Sequence, residues 1–114
     1  MSLPASSILA SSWTTAAPGY NEIFVPRFQP WTDDALKHLQ THARTLPPGI
    51  VLVPCCGPGQ ELPPIARLLG GAHAVLGTDL APGMVEIAAA RCAAAVQEDG
   101  TLKLSAAVGD AMQP

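Results

Sequence analysis

Charge is scarce in this chain. Only 13% of its 114 residues are Asp, Glu, Lys or Arg, and the net charge is −3. A balance of that sign leaves no basic footprint for nucleic acid. Aromatic residues are few, at 4%. No apolar run approaches the roughly 18 residues that a membrane span requires. Three cysteines, two of them adjacent, make no disulfide framework and point to a reducing compartment, expected to be the cytoplasm. A mitochondrial address is the weaker alternative: transit peptides are arginine-rich, and the first basic residue here is Arg27. Residues 1–21 carry no charged side chain and are rich in Ser, Ala and Thr. Such a stretch lacks the apolar density to order itself, so residues 1–19 are expected to form a flexible leader.

What the chain does have is apolar residues, at 48%, and proline, with 12 residues. That suffices for one domain with a real core. Residues 20–49 read as an aromatic arm followed by a helix. Tyr20, Ile23, Phe24, Phe28 and Trp31 crowd together, and Pro26 and Pro30 are expected to break any long helix. The arm either packs on the domain through its aromatics or serves as a lid over a ligand. Thr32 has the character of an N-cap, with Asp33 and Asp34 in the first turn, where their charge suits the helix dipole. Leu36, Leu39, Ala43 and Leu46 then recur at helical spacing until Pro47-Pro48-Gly49. His38 and His42 stand four apart on this helix, but no third metal ligand accompanies them in the sequence, and no metal site is expected.

Residues 50–114 alternate strand and helix. Strands are expected at about Ile50–Pro54, Ala74–Leu80 and Leu102–Val108, and helices at about Glu61–Leu69 and Pro82–Gln97. Pro63 and Pro64 fall in a first turn, where no intrahelical N–H is lost. Gly70-Gly71 ends that helix, and Pro82 opens the next. Right-handed crossovers fold such a pattern into parallel strands of order 3-2-1. The expected class is therefore α/β: a partial, Rossmann-like three-layer sandwich with flanking helices.

The stretch that organises the rest is Ile50-Val51-Leu52-Val53-Pro54-Cys55-Cys56-Gly57-Pro58-Gly59. An uncharged strand runs into a glycine turn that a helix follows. Backbone without a Cβ lets a ligand approach closely, and the helix aims its free N–H groups at the same place. Asp79 lies about 20 residues further on, at the end of the second strand, where a carboxylate can hold both hydroxyls of a ribose. Asp110 ends the third strand and can accept from an exocyclic amine. Taken singly, the glycines can serve only a tight turn, Asp79 only a helix cap and Asp110 only a turn. Their occurrence at three successive strand ends favours a ligand site. A dinucleotide site wants G-x-G-x-x-G, and Leu62 stands at the third glycine position, which disfavours an NAD-binding domain.

These segments resemble those of class I S-adenosylmethionine-dependent methyltransferases. Val51-Leu52-Val53-Pro54-Cys55-Cys56-Gly57-Pro58-Gly59 is similar to the family's first motif. Gly77-Thr78-Asp79-Leu80-Ala81-Pro82-Gly83-Met84 is similar to its segment after strand two, and Val108-Gly109-Asp110-Ala111 to its segment after strand three. The resemblance implies S-adenosylmethionine as cofactor and a small-molecule or lipid-like methyl acceptor. It implies that Cys55, Gly57 and Gly59 line the methionine part. Asp79 would hold the ribose, Leu80 and Met84 would border the adenine, and Asp110 would accept from its amine, with the Ala111 N–H nearby. The family carries an acid where Val53 stands and a glycine where Cys55 stands.

The family's fold continues past strand three, and its acceptor-binding residues lie largely there. No catalytic acid, base or nucleophile is nameable in this chain, which by itself is expected to be inactive. Strand one is expected to leave one apolar edge unpaired, to be filled by a second copy or a completing polypeptide. An inactive α/β module with an interaction role is the competing expectation.

Overall fold

The computed structural model describes residues 3–113. Residues 1–2 of the expected leader and residue 114 lie outside them. Helix α1 spans Leu3–Gly19 and passes through a π turn at Tyr20–Phe24 into α2, Val25–His42. A 3-10 turn at Ala43–Thr45 follows. The chain then alternates: β1 Ile50–Val53, α3 Leu62–Leu69, β2 Ala74–Asp79, α4 Pro82–Glu98 and β3 Lys103–Val108.

The N-terminal third departs from the sequence expectation. Residues 3–19 form a helix, not a flexible leader. Composition suggested disorder because it counts apolar mass. Small residues order this segment instead, by letting two helices approach closely. Ala17 is 1% exposed against Ala81 and Met84. Gly83 lies so close that a Cβ there would meet Thr14 Cγ2 at 2.7 Å. Nor do the prolines break the second helix. Pro26 lies just after the π turn and Pro30 lies inside α2, so the helix runs through both positions without their N–H bonds. Thr32 is thus no N-cap but a buried mid-helix residue, 8% exposed. The Thr-Asp-Asp capping signal was real but local, and a helix already started upstream overrode it.

From β1 onward the elements match expectation to within a residue or two. The sheet is parallel, in spatial order β1-β2-β3, which is 3-2-1 seen from the other edge. Ile50 pairs with Ala74, and Val53 with Gly77. Asp79 pairs with Val108. This is a partial Rossmann-like α/β arrangement. The two crossovers run in one direction across the sheet, and α3 and α4 share one face. There Leu62, Ala66 and Leu69 of α3 meet Ala88, Cys92 and Ala95 of α4 over Val75 and Leu102. The opposite face keeps Ile50 at 76% and Leu52 at 45% exposure. Among the described residues no helix packs on it.

His73, just before β2, is buried and was not singled out in the sequence. Its Nε2 lies 2.8 Å from the Pro47 carbonyl and ties the turn before β1 to the start of β2.

Candidate functional site

The turn after β1 is shaped by backbone sign. Cys55, Gly57 and Gly59 all have positive φ, at 54°, 58° and 75°. For the two glycines that region is open, whereas for Cys55 it is strained. The turn is closed by one bond of its own and anchored from two sides. The Cys56 N–H donates to the Thr78 carbonyl at 2.8 Å, and the Gly59 N–H to the Cys56 carbonyl at 3.1 Å. Arg91 of α4 reaches across to the Pro58 carbonyl with Nη1 at 2.6 Å.

The two turn glycines have different tasks. A Cβ on Gly57 would meet no protein atom within 4 Å, so its left-handed backbone borders open space. A Cβ on Gly59 would sit 2.7 Å from Ala88 Cβ, so Gly59 lets α4 close on the turn. Leu62, at the third position of the dinucleotide pattern, is fully buried. Its Cδ1 is 2.6 Å from where a Cβ on Gly77 would stand. Bulk at position 62 is thus matched by a glycine in β2, a pairing invisible until the strand is laid beside the helix.

Asp79 closes the arrangement. Its Oδ2 accepts the Gly57 N–H at 2.9 Å and its Oδ1 the Ala81 N–H at 3.0 Å. One carboxylate therefore joins the glycine turn to the residue that precedes α4, without capping the helix itself. Each oxygen keeps a second acceptor direction for a ligand hydroxyl.

Cys55, Gly57, Asp79 and Leu80 line one cavity of about 320 Å³, together with Leu9 and Trp13 of α1 and Tyr20 of the π turn. Of the residues expected at the site, these four share the cavity. Met84 does not; it is 2% exposed in the cluster under α1. Gly59, as described, is a packing residue. Asp110 lies next to the Asp79 strand end, since the Gly109 N–H donates to the Asp79 carbonyl at 3.0 Å. It does not reach the cavity: its Oδ1 takes the Met112 N–H at 2.9 Å, and Ala111 is exposed beside it. The residues missed in the sequence are Leu9 and Trp13. Their only signal was bulk within a Ser/Ala-rich stretch. A further hollow of about 390 Å³ between α2 and α3, lined by Lys37 and Arg67 among others, stands away from the strand ends.

The thiols divide by environment. Cys55 is exposed at the cavity. Cys56 is buried beneath the turn, with its thiol 3.4 Å from the Gly57 carbonyl. Burial, helped by the charge of Asp79, pushes its pKa up to about 12. Cys56 is thus a neutral packing group, not a nucleophile. Burial likewise raises the Glu61 carboxyl, partly countered by Arg91.

No protein-family model matches the chain, and no curated protein does. Among solved structures it is similar to a TehB-like SAM-dependent methyltransferase from Corynebacterium glutamicum, with 22% identity and a TM-score of 0.47. That match covers 82% of this chain and 46% of the other. It is also similar to an S-adenosylmethionine-dependent methyltransferase from Clostridium acetobutylicum, with 19% identity and a TM-score of 0.48, over 87% of this chain and 37% of that one. The chain thus spans less than half the length of either structure it matches.

Proposed function

We propose that this chain is the cofactor-binding half of an S-adenosylmethionine-dependent methyltransferase acting on a small-molecule or lipid-like acceptor. The observation that carries this reading is Asp79: a strand-end carboxylate, hydrogen-bonded to Gly57 of a left-handed glycine turn, in the same cavity as Cys55 and Leu80. Asp79 would hold the ribose diol and Leu80 would border the adenine. Cys55 and Gly57 would line the methionine end. Among the described residues no basic side chain lines this cavity, which suits a zwitterion and a sulfonium better than a pyrophosphate. Asp110 would take part through Oδ2, since its Oδ1 accepts the Met112 N–H. In this reading the chain binds and orients the cofactor, and methyl transfer further needs an acceptor held in line with the sulfonium. Three free thiols suit a reducing compartment, the cytoplasm in our reading.

The test is calorimetric titration of S-adenosylmethionine, with NAD as control. Saturable binding of the former alone is expected. Asp79→Asn keeps the side chain's size but loses its charge and turns an amide donor towards one of the two backbone N–H groups. It should weaken binding at least about ten-fold, with the circular dichroism spectrum reporting that the secondary structure is retained. A folded protein that binds NAD instead would establish the dinucleotide reading.

A second reading is an interaction module without catalysis, favoured by the unpaired outer edge of β1 and the open sheet face beside it. Either a second copy or a completing polypeptide can fill that edge. Folded protein that binds neither cofactor would favour this reading.

A further inference from the structure

The cavity has a wall that the cofactor reading did not require. Opposite the strand ends stand Trp13 and Tyr20, whose ring centroids are 5.7 Å apart and whose planes meet at 88°. Two rings at a right angle make a corner in which the edge of one meets the face of the other, and both rings line the cavity.

The corner is held in place from both sides. Tyr20 stacks on Phe24 at 5.8 Å, which in turn stacks on Phe28 at 6.5 Å. Between Trp13 and Tyr20 in the chain lie the two residues that dock α1. Thr14 Oγ1 accepts the Gly83 N–H at 3.0 Å, and Ala17 is buried against Ala81 and Met84. Ala81 also donates its N–H to Asp79. The aromatic corner and the carboxylate are therefore braced against the same turn, at the start of α4.

Asp79 is the only carboxylate lining the cavity, and no Lys, Arg or His lines it among the described residues. A space with one carboxylate, two aromatic rings and no cation selects a ligand that carries positive charge together with hydroxyl groups. We propose that Trp13 and Tyr20 recognise the sulfonium cation, so that this site distinguishes the charged methyl donor from its neutral thioether product. The proposal rests on the cofactor reading and adds a cation-selective wall to it. Cation–π attraction requires the charge within about 6 Å of a ring and strengthens as water is excluded. It acts on S-adenosylmethionine and not on S-adenosylhomocysteine, since the two differ at sulfur by a methyl group and a charge.

The experiment titrates both compounds into the 114-residue protein and its variants Trp13→Leu, Tyr20→Leu and Trp13→Phe. Trp13 is 48% exposed, so leucine there leaves the core untouched. The unmodified protein should prefer the sulfonium compound. Each leucine variant should lose about ten-fold in affinity for it, while binding of the thioether changes less than about three-fold. The phenylalanine variant should keep most of the preference. Retained thioether binding reports that each variant is folded. If leucine weakens both ligands equally, or neither, the aromatic role is overturned while the cofactor reading stands. An unmodified protein that binds both compounds equally likewise overturns the aromatic role alone. A folded protein that binds neither overturns both.

Discussion

At the scale of single residues, Cys55 is the point of strain. Its φ of 54° is a conformation that an L side chain adopts at a cost of roughly 1–2 kcal/mol. Cys55→Gly removes that cost but gives the unfolded chain more freedom, worth about 0.5–1 kcal/mol in the other direction. The variant should therefore be more stable by up to about 1.5 kcal/mol, read as a higher urea midpoint at unchanged slope. Cys56 makes a prediction of opposite character. Its pKa is raised by burial from 9.0 to about 12. Above pH 9 the unfolded thiol gives up its proton while the folded one retains it, so the unfolded state gains. Stability should be level below pH 9 and fall as pH rises from 9 towards 12. Thermal melts across that window should show the fall, and Cys56→Ala should flatten part of it. Cys92, shifted in the same direction by burial, supplies some of the remainder.

At the scale of elements, the docking of α1 on α4 is decided by one missing Cβ. An alanine at Gly83 would bring its Cβ to 2.9 Å from the Thr14 backbone as well as onto its methyl. Backbone cannot swing aside as a side chain does. Gly83→Ala should cost about 1–3 kcal/mol, or lift α1 from its seat. In a Trp31→Phe background, Trp13 emission should then shift to the red while the sheet is retained. Helix α1 was also the element least legible in the sequence. Its face is made of Thr14 and Ala17, which carry no periodic apolar signal, and its register depends on a glycine 69 residues away. The strands and helices after residue 50 were legible because each buries one continuous face. Val51 and Val53, Leu104 and Ala106, and Ala88 and Cys92 all face one core.

At the scale of the whole molecule, the two sheet edges are unequal. β3 carries Lys103 at its start, a charge of the kind that discourages strand addition. β1 is Ile-Val-Leu-Val, without a charge, and its outer edge pairs with nothing among the described residues. With Ile50 and Leu52 exposed beside that edge, the protein should self-associate through β1. Light scattering at tens of micromolar should report a dimer or larger species, and Leu52→Lys should shift it towards monomer without loss of fold. A wild-type protein that stays monomeric there would count against this surface and against the interaction reading that depends on it.

The sequence by itself determined the α/β alternation, the parallel sheet, the glycine turn and the place of Asp79, because these follow from local patterns: apolar periodicity, proline and glycine punctuation, and a carboxylate at a strand end. Only the tertiary structure decided which residues face the cavity. Gly59 and Met84 turn into packing, Asp110 lies outside the cavity with one carboxylate oxygen bonded in its own turn, and Trp13 comes over the site from a stretch that composition alone marked as a leader. The physical reason is that close approach between distant segments depends on what small residues leave empty, and empty space has no letter in a sequence.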